Sequence, residues 1–245
     1  MSQLIDIEAA REFMRETLEK VDPEHLSAIA YDLEQKSAYF KDHLEESELS
    51  SMTEKGVTDL MKAVFATRRK YGNILEQNTW EDLKAHISTL LHSELPVEKR
   101  FQDFVDRLGD VDKGMKCELA GELLHFYNPE KYWMWSRWMW DPKNKTGALP
   151  LVTTEGFDLL GESEGETYLK VGKAVAFVHS VAEPAEFQFI SRTLFGTDVY
   201  LSCVYVVYAY TVLRLRMTQE FNKVMPGLVE FARRILGVYK MPETV

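Results

Sequence analysis

The chain has 245 residues, 45% hydrophobic and 12% aromatic, with a formal net charge of −10. That apolar share fills a sizeable core, in one large domain or two small ones, and excludes a disordered chain. The acidity is local: residues 1–50 carry 13 acidic and 5 basic side chains, whereas 185–245 carry 5 and 7, which argues against duplex DNA binding by the whole surface and leaves room for a local site.

In chain order the apolar spacing is helical almost throughout. Ile7, Ala10, Phe13, Met14, Leu18 and Val21 recur at helical intervals after Asp6, a good N-cap. Asp22 and Pro23 restart the pattern, with Leu26, Ile29, Leu33, Phe40 and Leu44 on the apolar face. Ser51 and Glu54 have the spacing of a capping box, and Gly72 is placed to cap the end of a third helix. Thr79 with Asp82 opens a fourth helix, Pro96 a fifth, and Lys113 to Tyr127 reads as a sixth.

Beyond the turn-forming "DPKNKTGALP" and the acidic loop "GESEGE", Tyr168 to Ala182 is predicted helical although Gly172 weakens it. Pro184 starts a short helix ending near Gly196, and the last helix, after Pro226, closes at Gly237. The expected fold class is all-α, a multi-helix globular protein of about nine or ten helices. Residues 1–95 are expected to form an N-terminal helical layer. Residues 96–245 are expected to form a helical domain with a hairpin-like module and a central apolar helix near 198–217.

That central helix lies in "LFGTDVYLSCVYVVYAYTVL", Leu194 to Leu213, whose one charge is Asp198. A membrane helix needs about 20 apolar residues. The Gly196-Thr197-Asp198 start and four tyrosines within the run favour an enclosed helix, apolar all round, whose hydroxyls find partners. Cys117 and Cys203 stand far apart in apolar surroundings and read as buried, reduced thiols. The N-terminus lacks the basic start and apolar run of a secretory signal, so a reducing cytoplasm is expected.

Catalytic motifs are weak. Glu118, Glu122 and His125 share a helix face, as carboxylate and imidazole do in di-iron bundles, but no second Glu-x-x-His exists. Asp82 and His86 make one further pair. There is no phosphate-binding glycine loop and no Gly-x-Ser-x-Gly elbow. The basic clusters Arg68-Arg69-Lys70 and Arg233-Arg234 lie near helix C-termini, where the dipole favours cations. No catalytic residue, metal ligand or cofactor is assigned.

The most unusual stretch is "KYWMWSRWMWDPKNK", Lys131 to Lys145, with four of the five tryptophans, four cations and one anion. Trp133, Trp135, Trp138 and Trp140 cannot share one helix face at spacings of two and three. Three explanations stand: a core clamp, a protein interface anchored by Trp and Arg, or a stacking platform for bases with cations on the phosphates. The candidate binding residues are Lys131, Trp133, Trp135, Arg137, Trp138, Trp140, Lys143 and Lys145. In the core explanation Arg137 pairs with an acid such as Asp141; in the others it faces outward.

The preceding residues, "RFQDFVDRLGDVDKGMKCELAGELLHFYNPEKYWMW", resemble the helix-hairpin-helix module of DNA glycosylases over about 35 residues. Leu108 to Gly114 occupies the turn, Ala120, Leu123 and Leu124 line the second helix, and Asn128-Pro129 the loop that follows. The family's glycines around the central valine are replaced by Asp110 and Asp112, which repel phosphate. Gly114 stands where bifunctional members carry a catalytic lysine, and no acid lies near Tyr132, where the catalytic aspartate would fall. The resemblance therefore implies a scaffold without glycosylase chemistry.

The functional expectation is a non-enzymatic soluble binding or assembly protein acting through residues 131–145. Its partner is a protein or a second copy, with single-stranded nucleic acid or a nucleotide as the alternative, and no membrane. A metal-dependent enzyme is the third and least favoured reading.

Overall fold

A computed structural model describes residues 5–182, 193–216 and 227–239. The fold is all-α. Among the described residues there are twelve helices: α1 (Ile7–Leu18), α2 (Pro23–Leu44), α3 (Glu46–Ser51), α4 (Glu54–Ala63), α5 (Tyr71–Gln77), α6 (Trp80–His92), α7 (Val97–Arg107), α8 (Lys113–Tyr127), α9 (Leu149–Val152), α10 (Glu164–Ala182), α11 (Gly196–Arg216) and α12 (Leu228–Ile235). The only β-type pairings among them are two isolated bridges, Ile5 with Thr153 and Asp141 with Thr146. The helices expected from Pro184 and up to Pro226 fall outside the described residues.

Several boundaries follow from local chemistry. The Asp6 carboxylate accepts from the Ala9 amide at 3.0 Å, and the Thr79 hydroxyl accepts from the Asp82 amide at 3.1 Å. Gly237 adopts φ 74°, and the Gly237 and Val238 amides close α12 onto the Arg234 and Arg233 carbonyls. Two caps differ from expectation. Thr53, not Ser51, caps α4 through the Gly56 amide, because α3 continues to Ser51. Gly72 lies in the first turn of α5 and ends nothing.

The chain forms two compact units, each gathering separate stretches. Of the described residues, one unit comprises those up to Leu33, Trp138–Phe157 and those between Ala174 and Tyr239, and the other comprises Glu34–Arg137 and Asp158–Lys173. Two of the boundaries fall inside α2 and α10, which are long enough (22 and 19 residues) to contribute a stretch of helix to each unit.

In the first unit α11 is the central element. Val199 to Val204 are all buried, with Val206 and Val207; α1 and α12 pack on it, and α9 packs on α1. The Tyr200 hydroxyl donates to the Ala10 carbonyl at 3.0 Å, so one of the predicted tyrosine partners is backbone of α1. Among the described residues no helix is long and apolar enough to cross a membrane.

In the second unit the central element is α8, buried continuously from Cys117 to Phe126. It packs with α6 and α7, and α3 and α4 pack on α6. Both cysteines are buried and free. Burial pushes each thiol up to about 12, which leaves them protonated and unreactive.

Candidate functional site

The tryptophan segment is not helical. Tyr132 to Ser136 has no regular secondary structure, and a turn at Arg137–Met139 carries the chain on. In the second unit this strap runs along α8 at Gly121. A Cβ built on Gly121 would stand 2.7 Å from the Trp135 carbonyl oxygen and 2.9 Å from its nitrogen. One on Gly172 of α10 would fall within the indole of Trp133. Both glycines therefore exist to let the strap approach, which accounts for the weakness that Gly172 brings to α10.

The strap's rings join a column. Trp133 stacks on Tyr168 (4.9 Å between centroids), Tyr168 on Phe101 (4.4 Å) and Phe101 lies parallel to Trp135 (5.6 Å). The Trp133 indole N–H donates to the Tyr168 carbonyl at 2.8 Å, and the Tyr168 hydroxyl donates to the Trp133 carbonyl at 3.0 Å. Two backbone ties fix the ends. The His125 ring nitrogen Nδ1 meets the Tyr132 carbonyl at 2.9 Å, and the Arg137 amide donates to Glu118 Oε1 at 3.0 Å.

Arg137 finds its internal acid in Glu118 of α8. Its Nε and Nη2 hold Glu118 Oε2 at 2.9 and 2.8 Å, and its Nη1 lies 3.5 Å from Asp112, the N-cap of α8. The reason is position: α8 offers a buried carboxylate beside the strap. Asp141 is turned to its own loop, accepting from the Lys143 and Asn144 amides. Burial raises the Glu118 carboxyl above its usual range even though Arg137 pulls the other way.

One helical turn on, Glu122 meets Lys36 of α2, Nζ to Oε2 at 2.6 Å. The lysine is wholly buried, its ammonium 4.2 Å from the centre of the Phe126 ring. Burial lowers the Lys36 pKa, and Glu122 offsets part of that. Glu118, Glu122 and His125 thus all have structural partners. Among the described residues no group of three or more His, Cys, Asp or Glu is arranged to hold a metal ion.

In the first unit Trp138 and Trp140 are also internal. The Trp138 and Met139 carbonyls accept from the Ala148 and Leu149 amides, and Gly147, at φ 137°, lies against the Met139 carbonyl where any side chain would collide. Between these ties the loop reverses, with the Asp141 amide on the Thr146 carbonyl at 2.7 Å.

The eight candidates therefore separate by chemistry. Trp135, Trp138 and Trp140 are 3, 5 and 7% exposed and Trp133 is half-buried under its ring contacts, so the indoles make no open stacking platform. Lys131, Arg137, Lys143 and Lys145 are exposed. The structure brings Lys143 and Lys145 to one loop tip, and places Lys131 and Arg137 at the two ends of the strap in the other unit. Sequence reading missed Lys36 and Arg100. Each interrupts an apolar helical face, Lys36 between Leu33 and Phe40 and Arg100 beside Phe101 and Phe104, and that interruption was the available signal.

A scan against protein-family models, a search of curated proteins and a search of solved structures found no match to this chain.

Proposed function

We propose that the protein is a non-enzymatic helical binding and assembly protein, whose contact is made by the cations of the loop 141–146 and whose buried Trp138 and Trp140 anchor the start of that loop. The observation that carries this is Lys145. It occupies the left-handed backbone region, φ 53°, at an exposed tip where glycine or asparagine costs less. An uncommon backbone conformation at an exposed, charged tip is the kind of feature that supports a functional reading there. Lys143 and Lys145 stand there two residues apart, free of any ion pair among the described residues.

The occupant the charge distribution favours is a second copy of the chain. Residues 1–50 carry 13 acids against 5 bases, and Glu8 and Glu12 of α1, Glu19 just after it and Glu24 of α2 are exposed. A loop-to-helix contact of this kind is heterologous and assembles a ring if the rotation closes. The α7–turn–α8 pair serves as a helix-hairpin-helix-like scaffold in this reading, without base chemistry. Two free, buried cysteines support a reducing compartment, the cytoplasm.

Light scattering after gel filtration, at low and high salt, tests the proposal with wild type and Lys143→Glu/Lys145→Glu. An oligomer that salt and the double variant both dissociate supports it. A strict monomer at all salts refutes it. An oligonucleotide bound in a salt-sensitive manner by the wild-type monomer would put single-stranded nucleic acid in the place of the second copy.

A further inference from the structure

The second unit holds a buried cation with no anion. Arg100 of α7 is 4% exposed. Its Nη1 donates to the Leu90 and Leu91 carbonyls at 2.5 and 3.2 Å, and its Nη2 donates to the Tyr132 hydroxyl at 2.8 Å. Among the described residues no carboxylate pairs with it, and its Nε is buried without an acceptor. A guanidinium taken out of water calls for a compensating negative charge, and carbonyl dipoles supply only part of one.

Tyr132 offers that cation a hydrogen-bond acceptor and no charge. Its oxygen accepts from Arg100, and the Lys131 ammonium lies 5.3 Å from the centre of the same ring. The hydroxyl proton has no acceptor among the described residues. The phenol is thus a hydrogen-bond donor polarised by a cation behind it, with a second, exposed cation at its side. Burial alone would raise the Tyr132 pKa, but Arg100 and Lys131 outweigh it and bring it below the ordinary tyrosine value. The other ionisable groups facing it are the Tyr127 and Tyr168 phenols. Tyr127 donates towards Glu45 and Tyr168 to the Trp133 carbonyl.

The geometry points to an oxyanion site at Lys131 and Tyr132, backed by Arg100, that takes a single phosphate or carboxylate group. The Tyr132 hydroxyl donates to one oxygen of the anion and the Lys131 ammonium to another, while Arg100 polarises the phenol without touching the ligand. Arg100 is a positioning residue in this arrangement. The site lies in the unit that does not carry the Lys143–Lys145 loop, and it stands or falls independently of the assembly reading.

Calorimetric titration of the full chain with inorganic phosphate and, separately, with acetate tests it. Whichever anion binds saturably identifies the group. Lys131→Gln alters an exposed side chain and leaves the fold intact; Tyr132→Phe removes the donor. Each is expected to weaken binding roughly tenfold or more, the size of losing one charge-assisted hydrogen bond. Binding by the wild type also declines as the pH rises through the phenol's ionisation, because a phenolate has no proton to donate. The inference is overturned if neither anion binds saturably, or if both variants bind as tightly as the wild type.

Discussion

Replacing Gly121 by alanine reverses the usual effect of that change. In an open helix position Gly→Ala stabilises by about 0.5–1 kcal/mol, since glycine loses more backbone freedom on folding. At Gly121 the added methyl stands 2.7 Å from the Trp135 oxygen and 2.9 Å from its nitrogen, where ordinary contact begins near 3.4 Å. The obstacle is backbone, and the strap cannot retreat freely, because its ends are tied to His125 and to Glu118. Overpacking of this kind costs about 1–3 kcal/mol. The alanine therefore lowers the melting temperature by about 2–4 °C for each kcal/mol in a chain of this size. Gly72→Ala is the internal control. It is helical, exposed and has nothing within 4 Å of the built Cβ, so it raises the melting temperature slightly. Thermal unfolding of both variants by circular dichroism reads the two signs. A Gly121→Ala protein as stable as Gly72→Ala would refute the seating of the strap on α8.

Lys36→Met leaves Glu122 buried and alone, and should cost about 3–5 kcal/mol, whereas Lys36→Met with Glu122→Leu should recover most of it; urea titration of the set gives the coupling. Arg137→Ala removes the guanidinium from Glu118 but leaves the backbone amide in place, so the expected loss is about 1–3 kcal/mol. Lysine at 137 restores little of it, lacking the fork that reaches Glu118 and Asp112 together. The Tyr132 phenolate is expected to appear in an absorbance titration before those of the other tyrosines, and to vanish in Tyr132→Phe. Its depressed pKa contributes stability that is present above the unfolded tyrosine value and is lost as the pH falls through the folded one, so the stability gap between wild type and Tyr132→Phe widens as the pH rises towards 10. The emission of Trp135, Trp138 and Trp140 should resist acrylamide; ready quenching of the whole signal would contradict their burial.

The fold class was legible in the sequence because helix periodicity, caps and a polar turn are local signals. Asp6, Thr79, the Lys113–Tyr127 helix and the Gly237 stop could be read from neighbours within one turn. The apolar run opening at Gly196 showed an enclosed helix for the same reason: no polar face was left for water. What the sequence could not supply was which distant chain meets which. "KYWMWSRWMW" is compatible with core, interface or stacking platform, since an indole buries as readily as it binds. Only tertiary packing puts Trp133 on Tyr168 and Trp135 beside Phe101, and only there do Gly121 and Gly172 acquire a purpose. The same holds for charge. Arg137 had a near acid in Asp141, yet it pairs with Glu118, nineteen residues before it, because a buried carboxylate gains more from a partner than a solvated one does. Lys36 and Arg100 make the point most plainly: a cation on an apolar face is visible in a sequence, but whether it meets a Glu122 or waits for an anion is decided by the fold.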